Sequence, residues 1–328
     1  MSERDDPKDL WLRSPCLAYA QWVTSRRVLK REFNKHSIRQ YQCMFNGFLR
    51  WLGETRGRVL LEARTQDIDA FLGTKGGRNG SPASATTRRR YLHLVEGVYA
   101  HLVDIGLLEA NPAGDLLEAS RHQDFQRPAP IILSEALMER FVRWCVAQPK
   151  ENWFDLRDNA MRLLFLASGI TVCELQALHP KDLKQLSAPA TMLTLDIEAH
   201  GFVPDRVAPV AAFARPALLA WAKRLEAITP DSEFLFPARE YGFTIDRPDN
   251  VAISSPECYT IVQTALNSIG YERQRQGPQT LRNSFIAHQV WKGREFHRIT
   301  QWVGLRTNET VSKIARLVPV RRDGVVPA

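Results

Sequence analysis

The chain has 328 residues, enough for two domains of ordinary size, and at 44% hydrophobic and 24% charged it can bury real cores. Its 44 Lys and Arg outnumber 36 Asp and Glu, for a formal charge of +8, and such an excess attracts phosphate polymers or anionic membranes. No apolar run approaches the roughly 18 residues of a membrane span, Met1 to Asp9 is polar and unlike a signal peptide, and Cys16, Cys43, Cys145, Cys173 and Cys258 form no Cys-x-x-Cys pair. The expectation is a cytoplasmic protein with reduced thiols, no metal site, no cofactor and no membrane contact.

In chain order, Met1 to Arg13 reads as an N-terminal tail. Ile38, Tyr41, Phe45, Phe48 and Leu52 recur at helical spacing, with Ser37 placed to cap the helix. Thr65 opens a short helix through Leu72. Gly73 to Ser84, rich in Gly and Ser, reads as a loop. Ser84 to Val103 is the clearest helix, with Tyr91, Leu94, Val95, Val98, Leu102 and Val103 along one stripe. Residues 14–118 thus form a helical domain. Residues 119–130 are polar with two prolines and no apolar period, as in a linker. A second domain spans 131–317. Ser134 opens its first helix, with Leu137, Phe141 and Trp144 on one face. Asp155 to Ser168 is an apolar helix stopped by Gly169. Met192 to Ile197 and Arg206 to Val210 look like two strands of a hairpin, and helix returns after Phe234. Residues 318–328 are a C-terminal tail.

Positive charge is clustered: ten Lys or Arg against two Glu from Arg13 to Leu60, and eight against two from Lys292 to Arg322. Two basic stretches suit a protein that touches DNA from two sides; solvated helix faces are the plainer reading.

The order of these features resembles the tyrosine recombinases, or phage integrases. Thr86-Thr87-Arg88-Arg89-Arg90 at the start of a long helix, Asn111-Pro112-Ala113, and Leu133-Ser134-Glu135 after the linker match that family in style. More specific are Leu163 to Leu175, ending Gly169-Ile170-Thr171-Val172-Cys173-Glu174-Leu175, which is similar to the family's first box; Arg206-Val207-Ala208-Pro209-Val210; Gln279-Thr280-Leu281-Arg282-Asn283-Ser284-Phe285; and Ile299 to Leu305. The resemblance implies an α+β fold, mainly helical with a small β-hairpin or sheet. In that fold a helical core-binding, SAM-like domain and a catalytic-fold domain form a C-shaped clamp on double-stranded DNA.

The family's reaction is phosphoryl transfer: a tyrosine attacks the scissile phosphate while two arginines, histidines and a hairpin lysine stabilise charge and move protons. The resemblance puts Thr171 at the first Arg, Gly201 or Phe202 at the hairpin Lys, Gln279 at the His before Leu-Arg, Asn283 where a His often follows, Leu305 at the later His and Ile314 at or near the nucleophile. Arg282 and Glu174 are retained. The last tyrosine of the chain is Tyr271, so none follows Arg282. Losing one oxyanion donor alone costs roughly 10²–10³ in rate, and here several groups are replaced together. The expectation is an inactive recombinase homologue.

Candidate DNA-binding residues follow. Arg282 suits bidentate phosphate binding, with an ion pair to Glu174 as its other reading. Thr280 and Asn283 flank it. Thr86, Thr87, Arg88, Arg89 and Arg90 open a helix whose amide end can meet phosphate. His36, Arg39 and Gln40 open the other basic helix, where Arg39 or Gln40 could read base edges. Lys181 and Arg206 are further phosphate candidates. Glu174 reads as ordering Arg282 or nearby backbone.

Three functions compete: an inactive sequence-specific DNA binder that selects a target or end site for a mobile element, working with a transposase or an ATPase regulator; an active enzyme with a displaced nucleophile such as Ser284 or Ser312; and a pure protein-interaction module. A transcriptional or architectural DNA-binding role is the fallback of the first.

Overall fold

The computed structural model describes residues 7–25, 27–28, 31–32, 35–74, 83–121, 129–186, 192–199, 203–239, 248, 250–271 and 276–319. The backbone separates into two compact units, Met1–Pro128 and Ala129–Ala328. Among the described residues no helix is long and apolar enough to cross a membrane.

The first unit is built from α1 (Pro7–Arg13), α2 (Pro15–Ser25), α3 (Lys35–Arg56), α4 (Thr65–Thr74), α5 (Ala85–Asp104) and α6 (Gly114–Arg121), with a two-stranded ribbon of β1 (Arg27–Val28) and β2 (Arg31–Glu32). Phe45, Phe48 and Leu52 of α3 meet Ile68 and Phe71 of α4 and Val95, Val98 and Leu102 of α5 in one core. The apolar stripes read from the sequence are the stripes that are buried, because a helix places residues three and four apart on one face. Ser84 caps α5 by accepting from the Thr87 amide.

Three expectations need correction here. The supposed N-terminal tail contains α1, and Trp11 is only 3% exposed, edge-on to Trp22 and Phe45. Aromatic burial of that size repays the ordering of a short helix. Ser37 lies inside α3, which begins at Lys35, so it is not the cap. The linker begins later than residue 119, since α6 runs to Arg121 with Ser120 buried and its hydroxyl bonded to the Leu117 carbonyl. Residues 122–128 of that linker, 75–82 of the Gly/Ser loop and 320–328 of the C-terminal tail lie outside the described residues.

The second unit holds α7 (Glu135–Val146), α8 (Trp153–Ser168), α9 (Val172–Ala177), β3 (Leu183–Leu186), β4 (Met192–Ile197), β5 (Arg206–Val210), α10 (Arg215–Ile228), α11 (Ser255–Ser268), α12 (Pro278–Trp291), α13 (Phe296–Val303) and α14 (Glu309–Ala315). The strands make one antiparallel sheet in the order β3-β4-β5, with Leu195 opposite Ala208 and Leu183. The expected hairpin therefore gains a third strand. Helix α8 is buried on almost every side, its Leu163, Leu164 and Phe165 at the centre of the core, and Gly169 ends it at φ +66°. A smaller cluster gathers Phe285, Ile286, Ile299, Val303, Val311 and Ile314 from α12, α13 and α14.

Candidate functional site

Arg282 enters the second unit's interior on the first turns of α12, and its side chain is only 7% exposed. Its guanidinium donates to the carbonyl of Gly169 and, at 2.6 Å, to that of Val303. Those carbonyls are the ends of α8 and α13, where the helix leaves its last acceptors unpaired. Arg282 therefore ties three helices together. Glu174 Oε2 lies 3.9 Å from Nη1. Burial, partly offset by Glu174 and reinforced by Arg206, pushes the guanidinium down to about 10. The reading of Arg282 as a phosphate contact gives way in this geometry to its other reading, an internal tie near Glu174, because donors spent on buried carbonyls are not presented to a ligand.

Glu174 closes a reciprocal cap on α9: its Oε2 accepts from the Thr171 amide at 2.8 Å, and Thr171 Oγ1 accepts from the Glu174 amide at 3.3 Å. Its Oε1 is 2.7 Å from Nη2 of Arg206. Arg206, at the start of β5, donates from Nε to the Trp302 carbonyl at 3.0 Å and is 7% exposed. Beyond that ion pair, neither Nη atom has a hydrogen-bond acceptor among the described residues. Gly304 makes room for this arginine: a Cβ there would come within 2.8 Å of Cζ and Nη1 of Arg206 and 2.6 Å of Val203, at φ +67°. Arg206 is thus not the exposed phosphate contact expected from the sequence.

Around this centre, Gln279 is exposed and donates to Asn283 Oδ1 at 2.8 Å, while Asn283 donates to the Ile131 carbonyl at 3.1 Å. Thr280 is buried. Asn283 and Thr280 are engaged in the fold rather than displayed, which corrects their reading as DNA contacts. Ile314 is fully buried and Leu305 packs beside it in the same cluster. Gly201 lies outside the described residues. Ser284, the candidate displaced nucleophile, is fully buried; its hydroxyl accepts from the Leu133 amide at 2.8 Å and donates to the Thr280 carbonyl at 2.7 Å. No general base stands beside it in that pairing. Ser312 is half-buried on α14. Lys181 is exposed in the turn before β3.

In the first unit the candidates lie on the surface. Thr86, Thr87, Arg88 and Arg90 are exposed at the start of α5, and Arg89 is half-buried with its Nε bonded to His93 at 3.3 Å. Ser84 already occupies the Thr87 amide, which leaves the amides ahead of it for a ligand. Arg39 and Gln40 are exposed on α3, and Cys43, Asn46 and Arg50 continue the Arg39 face at helical spacing. His36 lies within α3, its side chain outside the described set.

Sequence reasoning missed Arg157, which is 1% exposed and reaches Asp158, Glu257 at 2.7 Å and the Pro237 carbonyl at 2.7 Å. An Arg near the start of an apolar helix was the available signal, since a buried one must find an anion. It also missed the Glu174–Arg206 contact, for which no spacing rule exists. Among the described residues no group of three His, Cys, Asp or Glu is placed to hold a metal ion.

Residues 27–106 match the family model for the phage integrase N-terminal SAM-like domain. The chain is 27% identical over 286 residues to tyrosine recombinase XerC of Rhodospirillum centenum, covering 87% of this chain and 78% of that protein. It is 27% identical over 252 residues to tyrosine recombinase XerD of Caulobacter vibrioides, covering 76% and 75%. Among solved structures, the XerH site-specific recombinase bound to palindromic difH substrate, a post-cleavage complex, superposes with a TM-score of 0.70 at 17% identity over 86% of this chain and 77% of that one. A lambda integrase dimer bound to a COC′ core site gives 0.61 at 14% identity over 96% and 82%. The fold is that of these site-specific recombinase and integrase structures. The chain is similar to tyrosine recombinases along most of its length.

Proposed function

We propose that this protein is a sequence-specific binder of double-stranded DNA that no longer cuts it, and that it selects a target or end site for a mobile element, with transposition proteins such as a transposase or an ATPase regulator as partners and another protein performing the strand chemistry. In this reading the 14–118 and 131–317 domains each contact the duplex. The observation that carries the loss of cleavage is the fate of the nucleophile: no tyrosine follows Tyr271, and Ile314, at or near the nucleophile's place, is fully buried among apolar side chains. The Ser284 hydroxyl is spent inside the core, which counts against a displaced nucleophile. DNA binding is supported by relatives solved on DNA, including a Tn1549 transposon integrase with circular intermediate DNA, and by the exposed arginines of α3 and α5.

The experiment has two stages. Binding-site selection with purified full chain should yield a preferred duplex, bound less tightly as salt rises. A nicked suicide version of that duplex, incubated and run under denaturing conditions, should show no covalent protein–DNA band. Ile314→Tyr alone should not restore one, because Thr171, Gln279, Asn283 and Leu305 still stand at the charge-stabilising positions. A band that survives denaturation with the wild-type chain ends the inactive reading. If deletion of the protein from its element changed neither insertion frequency nor insertion position, a transcriptional or architectural role would replace site selection.

A further inference from the structure

Helix α12 starts at the buried Arg282 and α13 ends beside it, since the Val303 carbonyl accepts from Arg282 at 2.6 Å. The turn that joins the two helices is therefore their far apex, about 15 Å from Arg282 at 1.5 Å per helical residue. All seven residues from Lys292 to Arg298 are exposed. The backbone under them is pinned: the Gly293 amide donates to the Val290 carbonyl at 2.9 Å and the Arg294 amide to the Gln289 carbonyl at 3.1 Å. Ile299 and Val303 then hold α13 in the cluster with Phe285 and Ile286. The side chains of the turn stand on a hydrogen-bonded, packed base, so little ordering is left for a partner to impose.

Lys292, Arg294 and Arg298 are three of the eight basic residues between Lys292 and Arg322. The turn sets them against one carboxylate, Glu295, which lies 3.5 Å from His297. Among the described residues none of the three cations makes an ion pair, and Arg298 lies over the Trp302 ring at 5.9 Å. Phe296 stands among them, 37% exposed. Hydrated surface cations need no partner, but an exposed Phe loses free energy in water, and aromatic side chains interleaved with Arg are what protein interfaces concentrate. We propose that the Lys292–Arg298 turn is a docking surface for an acidic segment of a partner protein, one that carries an apolar side chain to cover Phe296 between its carboxylates. The backbone of a duplex would meet the cations and leave Phe296 uncovered, whereas such a peptide meets both. This goes beyond the DNA-binding reading and stands without it.

The test uses the full chain and three short fluorescent peptides, followed by polarisation. The first is built of Asp and Glu interrupted by Leu and Phe. The second keeps the acids and has Ser in place of the apolar residues. The third keeps the apolar residues and has Asn and Gln in place of the acids. Wild type should bind the first at least about tenfold more tightly than either control. Phe296→Ser and Arg294→Glu should each cost about tenfold for that peptide, the scale of an interface anchor, and both should leave the thermal midpoint and the affinity for the selected duplex where they were. Each side chain is exposed, and Arg294→Gln repeats the charge arm should the reversal disturb the fold. Binding of the first peptide no tighter than the Ser control, or unaffected by either substitution, overturns the proposal. So does a loss of duplex affinity in both variants with peptide binding unchanged, which would make the turn a DNA contact. A chain that selects no duplex, yet binds the first peptide through Phe296 and Arg294, upholds the docking surface and removes the DNA reading.

Discussion

In the second unit Arg157, Arg206 and Arg282 are almost fully covered and spend their guanidinium groups on carboxylates and backbone carbonyls. In the first unit Arg39, Arg50, Arg88 and Arg90 stand exposed on α3 and α5. The residue type is the same and the energetics are opposite. A buried arginine is bound to its surroundings by donors that would be costly to leave unpaired. An exposed one is hydrated, adds little to stability, and is available to a polyanion. The count of basic residues in a stretch of sequence therefore says less about DNA contact than their burial does. Arg282 has the family's sequence context and the environment of a structural tie, while the arginines of α5 have the accessibility that a phosphate contact requires.

The sharpest way to break this comparison is Arg282→Ala. It strands the carbonyls of Gly169 and Val303 in the core, so the chain should lose roughly 2–5 kcal/mol, read as a lower midpoint in urea. A loss under about 0.5 kcal/mol would return Arg282 to the set of ligand contacts. The converse substitutions, Arg39→Ala and Arg88→Ala, should leave stability within about 0.5 kcal/mol. Each should weaken duplex binding and reduce the salt slope by about one. An unchanged slope for both would move the DNA surface away from α3 and α5.

The smallest effect is a difference in acid response. Burial, with Lys292 adding to it, holds His288 below the ordinary histidine range. The unfolded imidazole then takes up a proton that the folded one refuses, so stability contributed by the second unit falls as pH drops through about 6.5 and levels off below the folded value. Asp67 in the first unit behaves differently. Burial pushes its carboxyl up, but the Arg64 amide at 2.9 Å and the Arg58 and Arg56 guanidiniums outweigh it and hold the group below the ordinary carboxylate value. Its contribution is present above about pH 4 and is lost as pH falls toward the folded value. Unfolding curves should therefore show a first loss between about pH 7 and 6 that His288→Gln removes. A first loss that survives that substitution would assign it to another group.

The sequence by itself determined the helices and their buried faces. Phe45, Phe48 and Leu52, and Val95, Val98 and Leu102, are core residues because apolar side chains at a 3.6-residue period give a helix one face to bury, and Leu163 to Ala167 are core because a continuous apolar run leaves its helix no face for solvent. Gly169 was legible as a stop because a left-handed residue suits glycine. The box around Arg282 was also legible, and with it the resemblance to the tyrosine recombinases. Tertiary structure alone decided what that box does. Arg206 is 76 residues from Arg282, and no local pattern says that both turn to Glu174, or that Gly304 clears the space for one of them. Trp11 looked like part of a tail until α2, α3 and α5 gave it a pocket. A charged or aromatic side chain commits to solvent or to the interior according to the partners that long-range packing brings to it, and those partners are set by the whole fold rather than by the neighbours along the chain.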